Sequence, residues 1–143
     1  VNDPHNLQRF VDAQDPVLET VLAELHAGSK TSHWMWFIFP QLRDLGRSPT
    51  ALYYGIASLE EARAYLAHDL LGPRLRQSVA AVVPWAGTRT PEQILGPIDA
   101  LKLKSCLTLF EAAAGDELFG RALDSLYSGA RDQQTLALLN ARR

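Results

Sequence analysis

Cysteine is almost absent: Cys106 is the only one in 143 residues, so an intrachain disulfide framework is excluded. A lone thiol fits a reducing cytoplasm, which is the expected location. No charge of one sign dominates, since 14 Lys and Arg stand against 16 Asp and Glu. A nucleic-acid binder ordinarily carries a basic surplus or a basic face, and this balance argues against one. Arg142 and Arg143 at the end read as a solvated tail. Long apolar runs are missing too. The longest, Trp34 to Phe39, is six residues, against the ~20 needed to span a bilayer. The opening stretch VNDPHNLQRF lacks the basic and apolar regions of a secretory signal. Neither a membrane nor a nucleic acid is expected as partner.

The loops that cradle phosphates are absent: neither GxGxxG nor GxxxxGK occurs, and there is no GxSxG elbow. The histidines are His5, His26, His33 and His68, with no two at i, i+3 or i+4. That rules out a helical metal pair, and neither metal nor cofactor is expected. Cys106 shares a helical-wheel face with Leu103, Leu107 and Phe110, so it reads as a small core residue rather than a nucleophile.

What is present is a dense series of helix signals in a chain 47% hydrophobic and 21% charged. Asn6 is a candidate cap for a first helix bearing Leu7, Phe10 and Val11. Asp15-Pro16 and Ser48-Pro49 pair an N-cap with proline at the first helical position. Ser58 with Glu61, and Thr90 with Gln93, form capping boxes. Gly28, Gly55, Gly115 and Gly129 supply stops. Pro73 opens a helix, Asp99 caps a long one, and Asp116 and Asp132 cap the last two. The β signals are weak, with no Asn-Gly or Asp-Gly hairpin. The expectation is one all-α domain over residues 1–143, built from about seven to nine helices. HWMWFIFPQL, residues 33–42, is apolar on every face, and periodicity does not separate helix from strand there. Its helical surroundings favour helix, ended by Pro40.

Three stretches do not fit simple amphipathic packing. In the helix from Asp99 to Ala114, Leu103, Cys106, Leu107 and Phe110 make one apolar side, and Leu101, Thr108 and Ala112 much of the opposite one. Lys104 and Glu111 form the solvent stripe. Lys102 falls at the core edge, so its ammonium must snorkel, pair with Asp99, or face a cleft beside Ser105. In the aromatic run, Trp34 and Trp36 cannot point the same way. One packs in the core while the other walls a groove, with His33 and Gln41 nearby. In AHDLLGPRL, residues 67–75, His68 suits a helix end, and the fork of Arg74 suits a carboxylate or phosphate.

HWMWFIFPQLRDLGRSPTALYYGIASLEEARAYLAHDLLGPRL followed by GPIDALKLKSCLTLFEAA resembles the domain of unknown function 1810 family over roughly residues 6–140. The resemblance implies a mostly helical bacterial protein and assigns no activity. The family pattern has two serines before the TLF string, where this chain has Ser105 and Cys106.

The functional expectation is a small-molecule-binding protein with an anionic, nucleotide-like ligand, and hydrolysis of a nucleotide or ADP-ribose derivative as the reaction to test if it is an enzyme. One cleft would gather His33, Trp36, Gln41, Tyr54, Arg74, Lys102 and Ser105. Trp36 would stack, Arg74 and Lys102 would hold negative charge, and His33 would serve as the acid–base group. The alternative is a non-catalytic adaptor with an exposed aromatic groove, acting as monomer or weak homodimer. Convergence of the polar residues in one concavity favours the ligand.

Overall fold

In the computed structural model, which describes residues 2–141, the fold is all-α. Arg142 and Arg143 lie outside the described residues. The first five helices are α1 (Gln8–Gln14), α2 (Leu18–His26), α3 (Met35–Ile38), α4 (Pro49–Tyr54) and α5 (Leu59–Ala67). They are followed by α6 (Leu71–Val82), α7 (Pro91–Leu95), α8 (Pro97–Ala113), α9 (Leu118–Tyr127) and α10 (Gln133–Ala141). That makes ten among the described residues, against the seven to nine expected. Two of them, α3 and α7, are single-turn pieces. The aromatic run is helical only at Met35–Ile38. Beyond Pro40 the chain extends, and Leu42 makes one isolated parallel bridge with Ile56.

The α8 helix is the central post, packed against α5, α7, α9 and α10. Its Leu103, Cys106, Leu107 and Phe110 are fully buried. Around Phe110 lie the rings of Tyr65 at 5.3 Å and Phe119 at 5.9 Å. Burial pushes the Cys106 thiol well above its ordinary range. Native protein should therefore resist a thiol reagent and react only on unfolding. Rapid labelling of the folded chain, followed by mass spectrometry, would contradict this placement.

Several caps are realised as expected. Ser48 accepts from the Ala51 amide and Asp132 from Thr135. Ser58 accepts from the Glu61 amide, but the Glu61 carboxylate turns to Arg9 and the Ala57 amide, so only half of that expected box forms. Thr90 and Gln93 form the full reciprocal box. Others are displaced by tertiary competition. Asn6 adopts a left-handed φ of 50°, and the cap of α1 is Asp3, which takes the Leu7 and Gln8 amides. Asp15 leaves the start of α2 uncapped and pairs with Arg74 at 2.9 Å. Helix α8 begins at Pro97 after Gly96, so Asp99 lies inside the first turn and is free for ion pairs. His68 serves the helix that follows it: its Nδ1 accepts from the Leu70 and Leu71 amides at the start of α6.

After α2 the chain turns through Gly28, whose φ of 68° and approach to the Trp85 ring leave no room for a side chain. The next residues wrap the buried Glu24 carboxylate. It accepts from the Thr31 and Ser32 amides, the Ser32 hydroxyl and the Trp34 indole. This clasp fixes Trp34 in the core and so sets where α3 starts.

Candidate functional site

Two further anchors hold α3. Gln14 Nε2 donates to the Phe37 carbonyl at 2.7 Å and to the Tyr65 hydroxyl at 3.0 Å. Beyond Pro40, the Ile56 amide donates to the Gln41 carbonyl and the Arg43 amide to the Ile56 carbonyl, both at 2.9 Å. Close approach at this bridge requires Gly55, because a Cβ there would lie 2.3 Å from the Arg43 Cα. Gly55→Ala is expected to force the bridge apart and cost about 1–3 kcal/mol, read as a lower urea midpoint. An unchanged midpoint would show that the bridge yields freely.

With α3 and the Gln41–Arg43 segment fixed, Trp36 projects toward the first half of α8. Lys102 Nζ sits 5.3 Å from the centre of the Trp36 ring, within cation–π range. The two border a slot with Met35, Phe39, Gln41, Ala51, Tyr54 and Gly55. Burial raises the Tyr54 phenol above its ordinary pKa. The slot measures about 10 Å³, room for roughly one water. Gln41 and Lys102 also border a wider groove of about 560 Å³, whose lining includes Leu45, Ile98, Leu101, Lys104, Ser105 and Gln133. That volume falls within the range of small-molecule sites, about 300–1,000 Å³.

The far wall of the groove is the start of α10, and its position is fixed by polar contacts. The Asp132 amide donates to Thr108 Oγ1, whose own hydroxyl donates to the Lys104 carbonyl. Arg131 grips Glu111 and Asp124. The Glu111 hydrogen bond, first among its causes, raises the Arg131 pKa further above an already high value. This guanidinium is therefore spent on structure.

Charge at the mouth of the groove is unevenly compensated. Asp99 lies 3.0 Å from Lys30 Nζ and 3.8 Å from Lys102 Nζ. Lys30 is nearly buried, stands 4.9 Å from the Trp34 ring centre, and has the shorter ion pair. One carboxylate thus serves two ammonium groups, and Lys102 has the weaker share. Lys104, which also lines the groove, makes no ion pair among the described residues.

Of the residues singled out from sequence, Trp36, Gln41, Tyr54 and Lys102 border the slot, while Ser105 lies in the adjoining groove. Ser105 donates its hydroxyl to the Leu101 carbonyl. Two residues fall elsewhere. Arg74 holds Asp15 and contacts Gln14, tying α6 to the end of α1. His33 is exposed on the loop before α3 and lines neither space. On the α8 surface, the expected solvent stripe is half-buried at Lys104 and Glu111, because α10 and Arg131 cover that flank. The exposed large apolar side chains are instead Ile98 at 71% and Leu101 at 66%. Of the opposite apolar side noted in the sequence, Leu101 alone lines this groove and was the available signal for it; Thr108 is buried. Among the described residues no cluster of three or more His, Cys, Asp or Glu is placed to hold a metal ion, and no helix is long and apolar enough to cross a membrane.

The family model for Protein of unknown function (DUF1810) matches residues 4–139. The chain belongs to the DUF1810 family. A crystal structure of the conserved hypothetical protein Rv1873 from Mycobacterium tuberculosis superposes on this DUF1810 member with a TM-score of 0.93 and 53% sequence identity. The match covers 96% of this chain and 99% of that one. No protein of curated function matches the chain. The fold is thus shared by a relative of known structure, and a functional reading must come from the groove.

Proposed function

We propose that the protein binds a small anionic molecule in the groove between the first half of α8, the Arg43–Leu45 turn and the start of α10. The observation that carries this reading is the shared carboxylate: Lys30 and Lys102 divide Asp99 between them, and Lys102 faces the groove. A half-buried ammonium with a partial partner favours an added anion, since desolvation strengthens their attraction. Lys104 supplies a second positive charge, and Gln41 and Gln133 offer amide donors.

Binding is the part of the expectation that the geometry supports best. A hydrolytic step on a nucleotide or ADP-ribose derivative would need an acid–base group beside the bound anion. His33 is outside the groove, and Asp132, the carboxylate in its lining, is engaged in capping α10. Stacking of a base on Trp36 gains little support from a slot with room for roughly one water.

Thermal denaturation in the presence of acetate, phosphate, ADP or ADP-ribose tests the reading. An anion present at a hundred times its Kd should stabilise the fold by about 2.7 kcal/mol, seen as a higher Tm. Lys102→Met, which keeps most of the aliphatic stem, should retain the basal Tm and lose the shift. Equal shifts in Lys102→Met and the parent would remove the reading.

A further inference from the structure

The groove has an apolar side that a simple inorganic anion would leave uncovered. Ile98, Leu101, Lys102 and Ser105 stand at i, i+3, i+4 and i+7, so they form one face of α8. Their chemistry is graded along it: Ile98 and Leu101 project most of their surface to solvent, Lys102 is charged, and Ser105 is buried at the base. Leu45 lines the same groove across from this face. Two large aliphatic side chains side by side on a helix, each about two-thirds exposed or more, are an unusual expense of apolar surface unless something covers them. The adjoining cations Lys102 and Lys104 restrict what that is.

We infer, building on the anion-binding reading above, that the ligand is an amphipathic monocarboxylate. Its carboxylate meets Lys102 and Lys104, and its aliphatic part lies over Leu101, Ile98 and Leu45. From Lys104 back to Ile98 the helix rises about 9 Å at 1.5 Å per residue, which accommodates a tail of roughly seven carbons. Burial of two methylenes is enough for about a tenfold gain in affinity over a carboxylate with no tail. A multiply charged anion would gain nothing from the apolar wall and would meet few free cations, because Arg131 is held by Glu111 and Asp124.

Isothermal titration of the full chain with sodium octanoate, sodium acetate and 1-octanol, all as monomers in solution, separates the parts. Octanoate should bind one-to-one and at least tenfold tighter than either acetate or octanol. Leu101→Asn, at an exposed position that leaves the core intact, should lose about tenfold for octanoate and nothing for acetate. Lys102→Met should weaken both acids. If octanoate and acetate bind equally, or Leu101→Asn changes neither, the aliphatic seat is wrong while the anion site stands. If neither acid binds, the proposal fails, and the phosphate, ADP and ADP-ribose measurements above decide the anion reading separately. Octanol binding as tight as octanoate would also overturn the proposal. So would self-association abolished by Leu101→Asn, which makes a second copy the occupant. Sedimentation with phosphatidylglycerol vesicles without saturable octanoate binding would assign the surface to a membrane and contradict the proposal.

Discussion

Glu24→Gln is expected to cost about 3 kcal/mol of stability, lowering Tm by roughly 6–12 °C for a chain of this size. The carboxylate accepts four hydrogen bonds, and an amide would present its own NH₂ group to some of the same donors. Burial pushes the Glu24 carboxyl up, but the Ser32 hydroxyl, the Thr31 and Ser32 amides and the Trp34 indole outweigh it and hold the pKa at about 2, below the ordinary 4.5. The folded state therefore favours the ionised form. Its contribution is complete above about pH 4.5 and is lost as the pH falls toward 2. Denaturation midpoints measured between pH 6 and pH 2 should fall steeply for the parent and less steeply for Glu24→Gln. Parallel curves would mean that the clasp carries no such weight.

Arg9→Met should be destabilising by about 3–5 kcal/mol. Arg9 donates to Glu61 at 2.9 Å and to the carbonyls of His5, Asn6, Tyr53 and Gly55. Both charged side chains are more than nine-tenths buried, and losing the guanidinium strands the carboxylate. Arg9→Lys should recover only part, because a point charge does not reproduce the fork. The double variant Arg9→Met with Glu61→Leu should be more stable than the two single losses added together. Strict additivity in urea denaturation would show that the two residues act separately.

Much of this architecture was legible where the signal is local. Ser48, Ser58, Thr90 and Asp132 cap helices because a side chain and an amide three positions on need nothing else nearby. Asp15 and Asp99 carry equally good cap signals, yet distant cations claim them, and no spacing rule reveals a partner 59 or 69 residues away. The same limit divides the candidate site. Lys102 could be read as a charge at a core edge on a helix with little polar surface, and it does sit at the groove. Arg74 and His33 carry equally suitable chemistry, but the loops before α3 and α6 decide which way each faces. Leu101 was visible as a surplus apolar position, whereas Ile98 carried no such signal. Their exposure follows from where α10 docks, which depends on Thr108 and Arg131 together.

The central claim is a location: an anion held at Lys102 between α8 and the start of α10. The most direct measurement is a ¹H–¹⁵N correlation titration of the native chain with sodium phosphate and sodium octanoate, resolving the Trp36 indole and the Gln41, Gln133 and Gln134 side-chain amides. At least one of the two anions should move these groups saturably, together with the Ser105 backbone amide. The Arg74 and His33 signals should stay still. Saturable shifts gathered around Arg74 and Asp15, or none at the groove with either anion, would contradict it.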